Sequence, residues 1–262
     1  MQPMLNIAIR AARRAGIIIS RAQNRLYDLR VTKKGLHDYV TQVDVEAESV
    51  ILETLTQAYP NHAILAEESG RSGESDYTWV IDPLDGTLNF IHGYPQYAIS
   101  IALRVKSRLD QAVIYDPLKD ELFTASRGEG AQLNGQKIRV STNLELESAL
   151  LATGFPARNK QLLPKYLKGF AKILQASADI RRSGSAALDL ANVACGRVDG
   201  YWEYDLKEWD VAAGALLVQE SGGLVGDTLG GETHLLHGNI AAANPKIFRQ
   251  LISLLTASNT AT

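Results

Sequence analysis

Cysteine is almost absent from this 262-residue chain. Cys195 stands alone, so no internal disulfide can form, and the composition suits a reducing compartment. No apolar run reaches the roughly 20 residues that a membrane-spanning helix needs, so no membrane partner is expected. A basic excess is also missing: the formal net charge is -2. Nucleic acid is therefore not expected as the main ligand, and strong direct nucleic-acid binding is not expected either. Acidic residues are lacking before Asp28, where Arg10, Arg13, Arg14, Arg21 and Arg25 already occur. That bias resembles an organellar transit peptide. However, Leu5, Ala8, Ile9, Ala12, Gly16 and Ile19 share one helical face, with Arg10, Arg14, Arg21 and Arg25 opposite. The segment reads as the first amphipathic helix of the folded chain. With no secretory cleavage pattern, a cytoplasmic location is expected. The five histidines, His37, His62, His92, His234 and His237, show no helical metal-ligating spacing. They read as surface or hydrogen-bonded residues.

What is present alternates in type along the chain. A helix is expected from about Leu5 to Gln23. A second is capped by Thr41, with Val43, Ala47, Val50, Ile51 and Leu55 as its buried stripe. "HAILAEES" reads as a short strand running into two glutamates, and "GRSGESD" as a polar loop. Strands follow in "WVI", "YAISIALRV", "QAVIYDP" and "ELFTASR", and Asn134-Gly135 marks a hairpin turn. The charged stretch "STNLELES" is the expected seam. Beyond it strands alternate with helices from about Leu163 to Ala176, Ser185 to Ala194, Val211 to Glu220 and Ile247 to Leu255. The fold class is α/β: an α+β N-terminal lobe over residues 1–142 and an α/β C-terminal lobe over 143–262, built as layers of sheet and helix.

Three acidic clusters fall at strand ends or helix starts: Glu67 with Glu68, Asp82 with Asp85, and Asp210. Carboxylates held together repel and resist ionisation. A hard divalent cation removes that cost, and magnesium favours a few carboxylates plus substrate oxygens. The pattern points to metal-assisted chemistry on a phosphate. In "DPLDGT", Pro83 stiffens the backbone and Gly86 permits a sharp turn. Such a turn can aim Asp82, Asp85 and the Leu84 carbonyl at one point. Taken alone, Asp85-Gly86 is equally a common turn former. Haloacid-dehalogenase phosphatases use D-x-D-G-T near the N-terminus; the interval here is three and the place is different, so a covalent aspartyl-phosphate is not expected. "SGSAALDL" opens a helix at Gly184-Ser185-Ala186, where open backbone N–H groups attract anions. Ser185 also reads as a plain N-cap.

"DPLDGTLNF" resembles the first signature of the inositol monophosphatase family, and "WDVAAGALLVQESGG" its second. "EES", "RGEGAQLNGQKIRVS" and "SGSAALDLA" fit in order, so the resemblance covers nearly the whole chain. "PMLNIAIRAARRAG" and "RRSGSAALDLANVACGRVDGYWE" look most like the bacterial extragenic-suppressor (SuhB-like) branch. Leu88 replaces a frequent threonine, Ala66 a frequent glycine, and Ser185 stands where threonine is frequent.

The resemblance implies a layered αβαβα sandwich of the sugar-phosphatase type. It implies a Mg2+-dependent phosphomonoesterase with two or three Mg2+ per active site, sensitive to lithium. The substrate would be inositol monophosphate or a similar small polyol or sugar phosphate, hydrolysed by metal-activated water. Fructose 1,6-bisphosphate or a nucleotide 3′-phosphate is the alternative within the superfamily. Glu67, Asp82, Leu84 (carbonyl), Asp85 and Asp210 look like the metal ligands. Glu67 and Thr87 would position the water, with Asp44 paired to the threonine hydroxyl; Asp44 equally reads as the partner in a Thr-x-x-Asp cap. Lys33 would face phosphate or a further ion's water, or is simply a solvated lysine. Asp85, Gly86, Thr87, Gly184, Ser185, Ala186, Glu203 and Asp210 would contact substrate. A homodimer is implied, as is a second role in ribosomal-RNA antitermination with NusA and the RNA polymerase machinery. Arg181 and Arg182 read either as a subunit or partner contact or as electrostatics around the phosphate.

Overall fold

The computed structural model describes residues 3–35 and 38–259. Helix α1 (Pro3–Gln23) buries Leu5, Ala8, Ala11, Ala12, Ala15, Gly16 and Ile19. Arg10, Arg14, Arg21 and Arg25 are exposed. Ile9, expected in the stripe, is only half-buried, while Ala11 and Ala15 are fully covered. Small side chains let α1 lie close against the next helix.

That helix, α2 (Gln42–Ala58), follows a hairpin of β1 (Val31–Gly35) and β2 (Asp38–Thr41). The hairpin has no counterpart in the sequence reading because every residue of β1 is exposed, so no buried alternation marks it. His37 lies outside the described residues. Thr41 caps α2 as expected, in a capping box with Asp44. Val43, Ala47, Ile51 and Leu55 are buried and Val50 is half-buried.

The first large sheet contains β3 (Ala63–Ala66), β4 (Gly70–Ser72), β5 (Tyr77–Asp85), β6 (Ala98–Val105), β7 (Arg108–Asp116), β8 (Glu121–Ser126), β9 (Gly130–Leu133) and β10 (Gln136–Lys137). Its order is β10-β9-β8-β7-β6-β5-β3-β4. Strand β3 runs parallel to β5, and the other pairs are antiparallel. The expected loop "GRSGESD" is partly strand: β4 pairs with β3 at the sheet edge, where polar side chains are tolerated and discourage edge association. Asn134 and Gly135 both have positive φ, 48° and 79°, the two-residue hairpin geometry the dipeptide favours. A short helix α3 (Thr87–Ile91) follows β5.

The second sheet is built from β11 (Leu150–Thr153), β12 (Asp179–Arg181), β13 (Gly200–Glu203), β14 (Leu224–Gly226) and β15 (Ile240–Ala243), in the order β12-β11-β13-β15-β14. Its helices are α4 (Leu163–Ala176), α5 (Ala186–Ala194), α6 (Glu208–Glu220), α7 (His234–His237) and α8 (Pro245–Asn259). Helices α6 and α8 begin earlier than their apolar stretches suggest, because the first turn carries polar residues, and α7 is too short for a periodic signal.

The layers follow from what packs on what. Helices α1 and α2 cover one face of the first sheet; α5 and α6 lie between the two sheets; α8, with α4 beside it, covers the far side of the second. This is the αβαβα arrangement. It explains the composition of α6, whose residues 210–218 are all buried: a helix with a sheet on either side must be apolar all round.

Two histidines depart from expectation. His234 is 7% exposed, and neither ring nitrogen has a hydrogen-bond partner. His62 is stacked between Tyr59 and Tyr77, with ring centroids 4.7 and 4.8 Å away, and its Nδ1 is unpartnered. Burial lowers the pKa of both, so they sit in the fold as neutral rings. Cys195 is half-buried at the end of α5, and burial pushes its thiol pKa up.

Candidate active site

The apolar strand does not stop at Ile81. Strand β5 continues through Asp85, and its pairing with β6 shifts between Asp82↔Ser100 and Asp85↔Ala98. Three steps on β5 oppose two on β6, so the segment is a bulge rather than a turn. Pro83 suits that bulge because it has no N–H to leave unpaired. The Leu84 N–H donates to Asp82 Oδ1 at 3.0 Å. Gly86 then takes φ 91°. A Cβ there would lie 2.8 Å from the Gln96 carbonyl oxygen, so both its dihedral and its crowding require glycine.

The bulge opens onto a cleft of about 230 Å³ whose wall includes Glu67, Asp82, Leu84, Asp85, Glu203 and Asp210. The two sheets thus contribute together. Glu67 follows β3, and its N–H donates to the Ile81 carbonyl at 3.1 Å. Asp210 stands in the first turn of α6 and accepts from the Lys207 N–H at 2.7 Å. Asp85 Oδ2 accepts from Ser185 Oγ at 2.6 Å and from the Ala187 N–H at 2.8 Å. The N-terminus of α5 therefore already holds an anion, and that anion is Asp85. Ser185 acts chiefly as cap and as donor to Asp85; Gly184 and Ala186 line the cleft. Asn89 ties the two halves together, its Nδ2 donating to Gln96 O at 2.7 Å and Ser183 O at 2.9 Å.

The acids raise one another's pKa. Burial, then the Asp210 charge, pushes Glu67 up to about 8. Burial, then Asp210 again, pushes Asp85 up to about 7, against its Ser185 and backbone hydrogen bonds. Asp82 is raised well above the usual range by burial and then by Glu67. Among the described residues no three His, Cys, Asp or Glu side chains form a ready-made metal cage. Held this close, the acids keep protons at a pH where free carboxyls have lost them. A divalent cation supplies the positive charge that such a proton supplies, and the donor set is all oxygen, as a hard cation requires. The residues fit a metal.

Thr87 Oγ lies 2.9 Å from Asp44 Oδ1 and 3.0 Å from the Leu84 carbonyl. Asp44 Oδ2 accepts from the Thr41 N–H and hydroxyl, so its cap and its threonine partnership coexist, one on each oxygen. Lys33 is exposed and is not part of the cleft wall. Its neighbour Lys34 pairs with Glu68, Nζ lying 2.5 Å from the carboxylate. Arg182 lines the cleft with its guanidinium over the Phe155 ring, and Arg181 pairs with Asp179 at the surface.

Several contributors were not foreseen. Arg158, at the cleft wall, comes within 3.9 Å of Glu67, and nothing local in its loop marks it. Glu48 is 3% exposed and accepts from the Glu68 and Ser69 N–H groups at 2.9 and 2.8 Å. Asp189 is buried and accepts from the Ser183 hydroxyl, and burial lifts its pKa to about 8. Both carried a readable signal, a carboxylate inside an apolar helical stripe. Glu48→Ala is expected to leave two N–H groups beside Glu67 unpaired and to cost about 2 kcal/mol of stability, measured by urea unfolding.

The model of the inositol monophosphatase family matches residues 1–260. A Pseudomonas aeruginosa relative called Nus factor SuhB is 55% identical over 261 residues, covering 97% of this chain and 96% of the relative. The Escherichia coli K12 protein of the same name is 51% identical over 255 residues, covering 97% and 96%. Among solved structures, the extragenic suppressor protein suhB of Bartonella henselae superposes with a TM-score of 0.94 at 42% identity, covering 97% of this chain and 98% of that one. The inositol monophosphatase of Anabaena does so with 0.87 at 42%, covering 97% and 95%. An αβαβα fold, both signatures in order and these likenesses agree: the chain belongs to the inositol monophosphatase family.

Proposed function

We propose that the protein is a Mg2+-dependent phosphomonoesterase acting on inositol monophosphate or a similar small polyol or sugar phosphate. The observation that carries this reading is the meeting in one cleft of Glu67, Asp82 and Asp85 from the first sheet with Asp210 from the first turn of α6, at a cost in repulsion that a cation relieves. Residues 1–142 would form the metal-binding lobe and 143–262 the lobe that completes the site. Glu67, Asp82, the Leu84 carbonyl, Asp85 and Asp210 would hold the metal. When bound, it supplies charge for the phosphate oxygens and acidity for a water.

The chain's own groups do the rest. Asp44 takes the hydroxyl hydrogen of Thr87, which leaves the Thr87 oxygen as an acceptor that orients the attacking water. Glu67, a carboxylate once the metal is held, would take that water's proton. Glu203 accepts a hydroxyl of the alcohol, and Gly86, Thr87, Gly184 and Ala186 bring backbone to the ester. Arg158 and Arg182 face the same cleft, a feature that favours a second anionic group and keeps fructose 1,6-bisphosphate as the alternative. A panel of phosphate esters assayed with and without Mg2+ tests this. Inositol 1-phosphate is expected to release phosphate only with the metal; no metal-dependent release from any ester sinks the reading.

A second role rests on the relatives called Nus factors, at about half identity over nearly the whole chain. In this role the protein, as a homodimer in the cytoplasm, contacts NusA and the RNA polymerase machinery. Binding to purified NusA tests it directly.

A further inference from the structure

We propose that Tyr201 sets how the cleft reads the alcohol part of its substrate, by fixing Glu203 as an acceptor for a neutral hydroxyl; the inference rests on the phosphomonoesterase reading above. Tyr201 and Glu203 are two apart on β13, so their side chains leave the same face of the sheet. Tyr201 is fully buried. Its phenol O–H donates to Glu203 Oε2 at 2.5 Å. Among the described residues that phenol is the one hydrogen-bond donor to this carboxylate.

Gly154 supplies the second constraint. Strands β11 and β13 are parallel, with Ala152↔Tyr201 and Thr153↔Trp202 in register, so the next pair brings Gly154 beside Glu203. A Cβ at Gly154 would lie 2.0 Å from Oε1 and 2.1 Å from Oε2. The carboxylate therefore lies against bare backbone, in space that any other residue would fill. Oε2 is held by the phenol, and Oε1 is left as an acceptor at the cleft wall, where Glu203, Gly154 and Asp210 all contribute.

A carboxyl oxygen held in this way favours a hydroxyl of the substrate, while Arg158 and Arg182, in the same cleft, tolerate negative charge. Tyr201 touches no substrate in this account; it is a positioning residue. Removing its hydroxyl frees Glu203 to turn away, and the hydroxyl loses a charged partner.

The experiment compares inositol 1-phosphate with phenyl phosphate, which has no hydroxyl to read. In Tyr201→Phe the ratio of kcat/KM for inositol 1-phosphate over that for phenyl phosphate is expected to fall about tenfold, the value of a hydrogen bond to a charged group. The fall should come mainly from KM for the inositol ester. Gly154→Ala, which displaces the carboxylate without touching the phenol, is expected to lower the same ratio. A general structural defect slows both esters alike; an unchanged ratio in Tyr201→Phe overturns the inference, whatever Gly154→Ala does. If the unmodified protein hydrolyses neither ester with Mg2+, the phosphatase reading falls, and this inference with it.

Discussion

Asp85→Asn is expected to fold as the parent does and to lose metal-dependent phosphate release by on the order of a thousandfold, more than the loss of an outer-sphere partner of a metal site costs. The substitution is nearly isosteric. The amide oxygen can still accept from Ser185 Oγ and the Ala187 N–H, so the junction between β5 and α5 survives. The negative charge is lost, and with it the proposed metal ligand and the repulsion from Asp210 that lifts Asp85. The metal-free variant is therefore expected to melt no lower than the parent, while phosphate release from inositol 1-phosphate nearly vanishes. Undiminished release would remove Asp85 from the metal site. NusA binding by this variant separates the two roles, since nothing in a docking surface needs that charge.

Raising the pH is expected to destabilise the metal-free protein. Glu67 and Asp85 have folded pKa values of about 8 and about 7, against roughly 4 for unfolded carboxyls. Between those limits the native state binds more protons than the unfolded chain, so stability falls as pH rises. From pH 5 to 8 the melting temperature of chelator-treated protein should drop by on the order of 5 °C. Excess Mg2+ should flatten the dependence, because the cation takes over the role of the retained protons and binds more tightly as they leave. A melting temperature that rises over the same interval without metal would contradict the account of these acids. His62 and His234 oppose the trend: burial lowers their pKa, so stability is gained as pH rises through the imidazole range and does not change further above it.

Legibility followed locality. Asn134-Gly135 announced its turn because two positive φ angles in succession suit few other dipeptides. Thr41 and Asp44 announced the start of α2 for a similar reason. Asp82, Asp85, Glu67 and Asp210 were visible as ligand types, yet their convergence depends on α6 packing against the first sheet, which the family resemblance supplied and local pattern did not. The bulge in β5 was read as a turn because Asp-Pro and Asp-Gly look alike in both; its pairing with Ser100 and Ala98 is a tertiary fact. Strand β1 was missed because it buries nothing. Nothing in the sequence marks Tyr201, and only the structure shows that its hydroxyl reaches Glu203 two residues along the same strand.

Helix α6 carries Asp210 at one end and packs on both sheets along its length. A substitution along its buried face would shift Asp210 and two sheets at once, so a packing defect there is felt in the cleft. The outer helices α1, α4 and α8 give no residue to the cleft wall, so a partner docked on their exposed faces would leave the cleft intact.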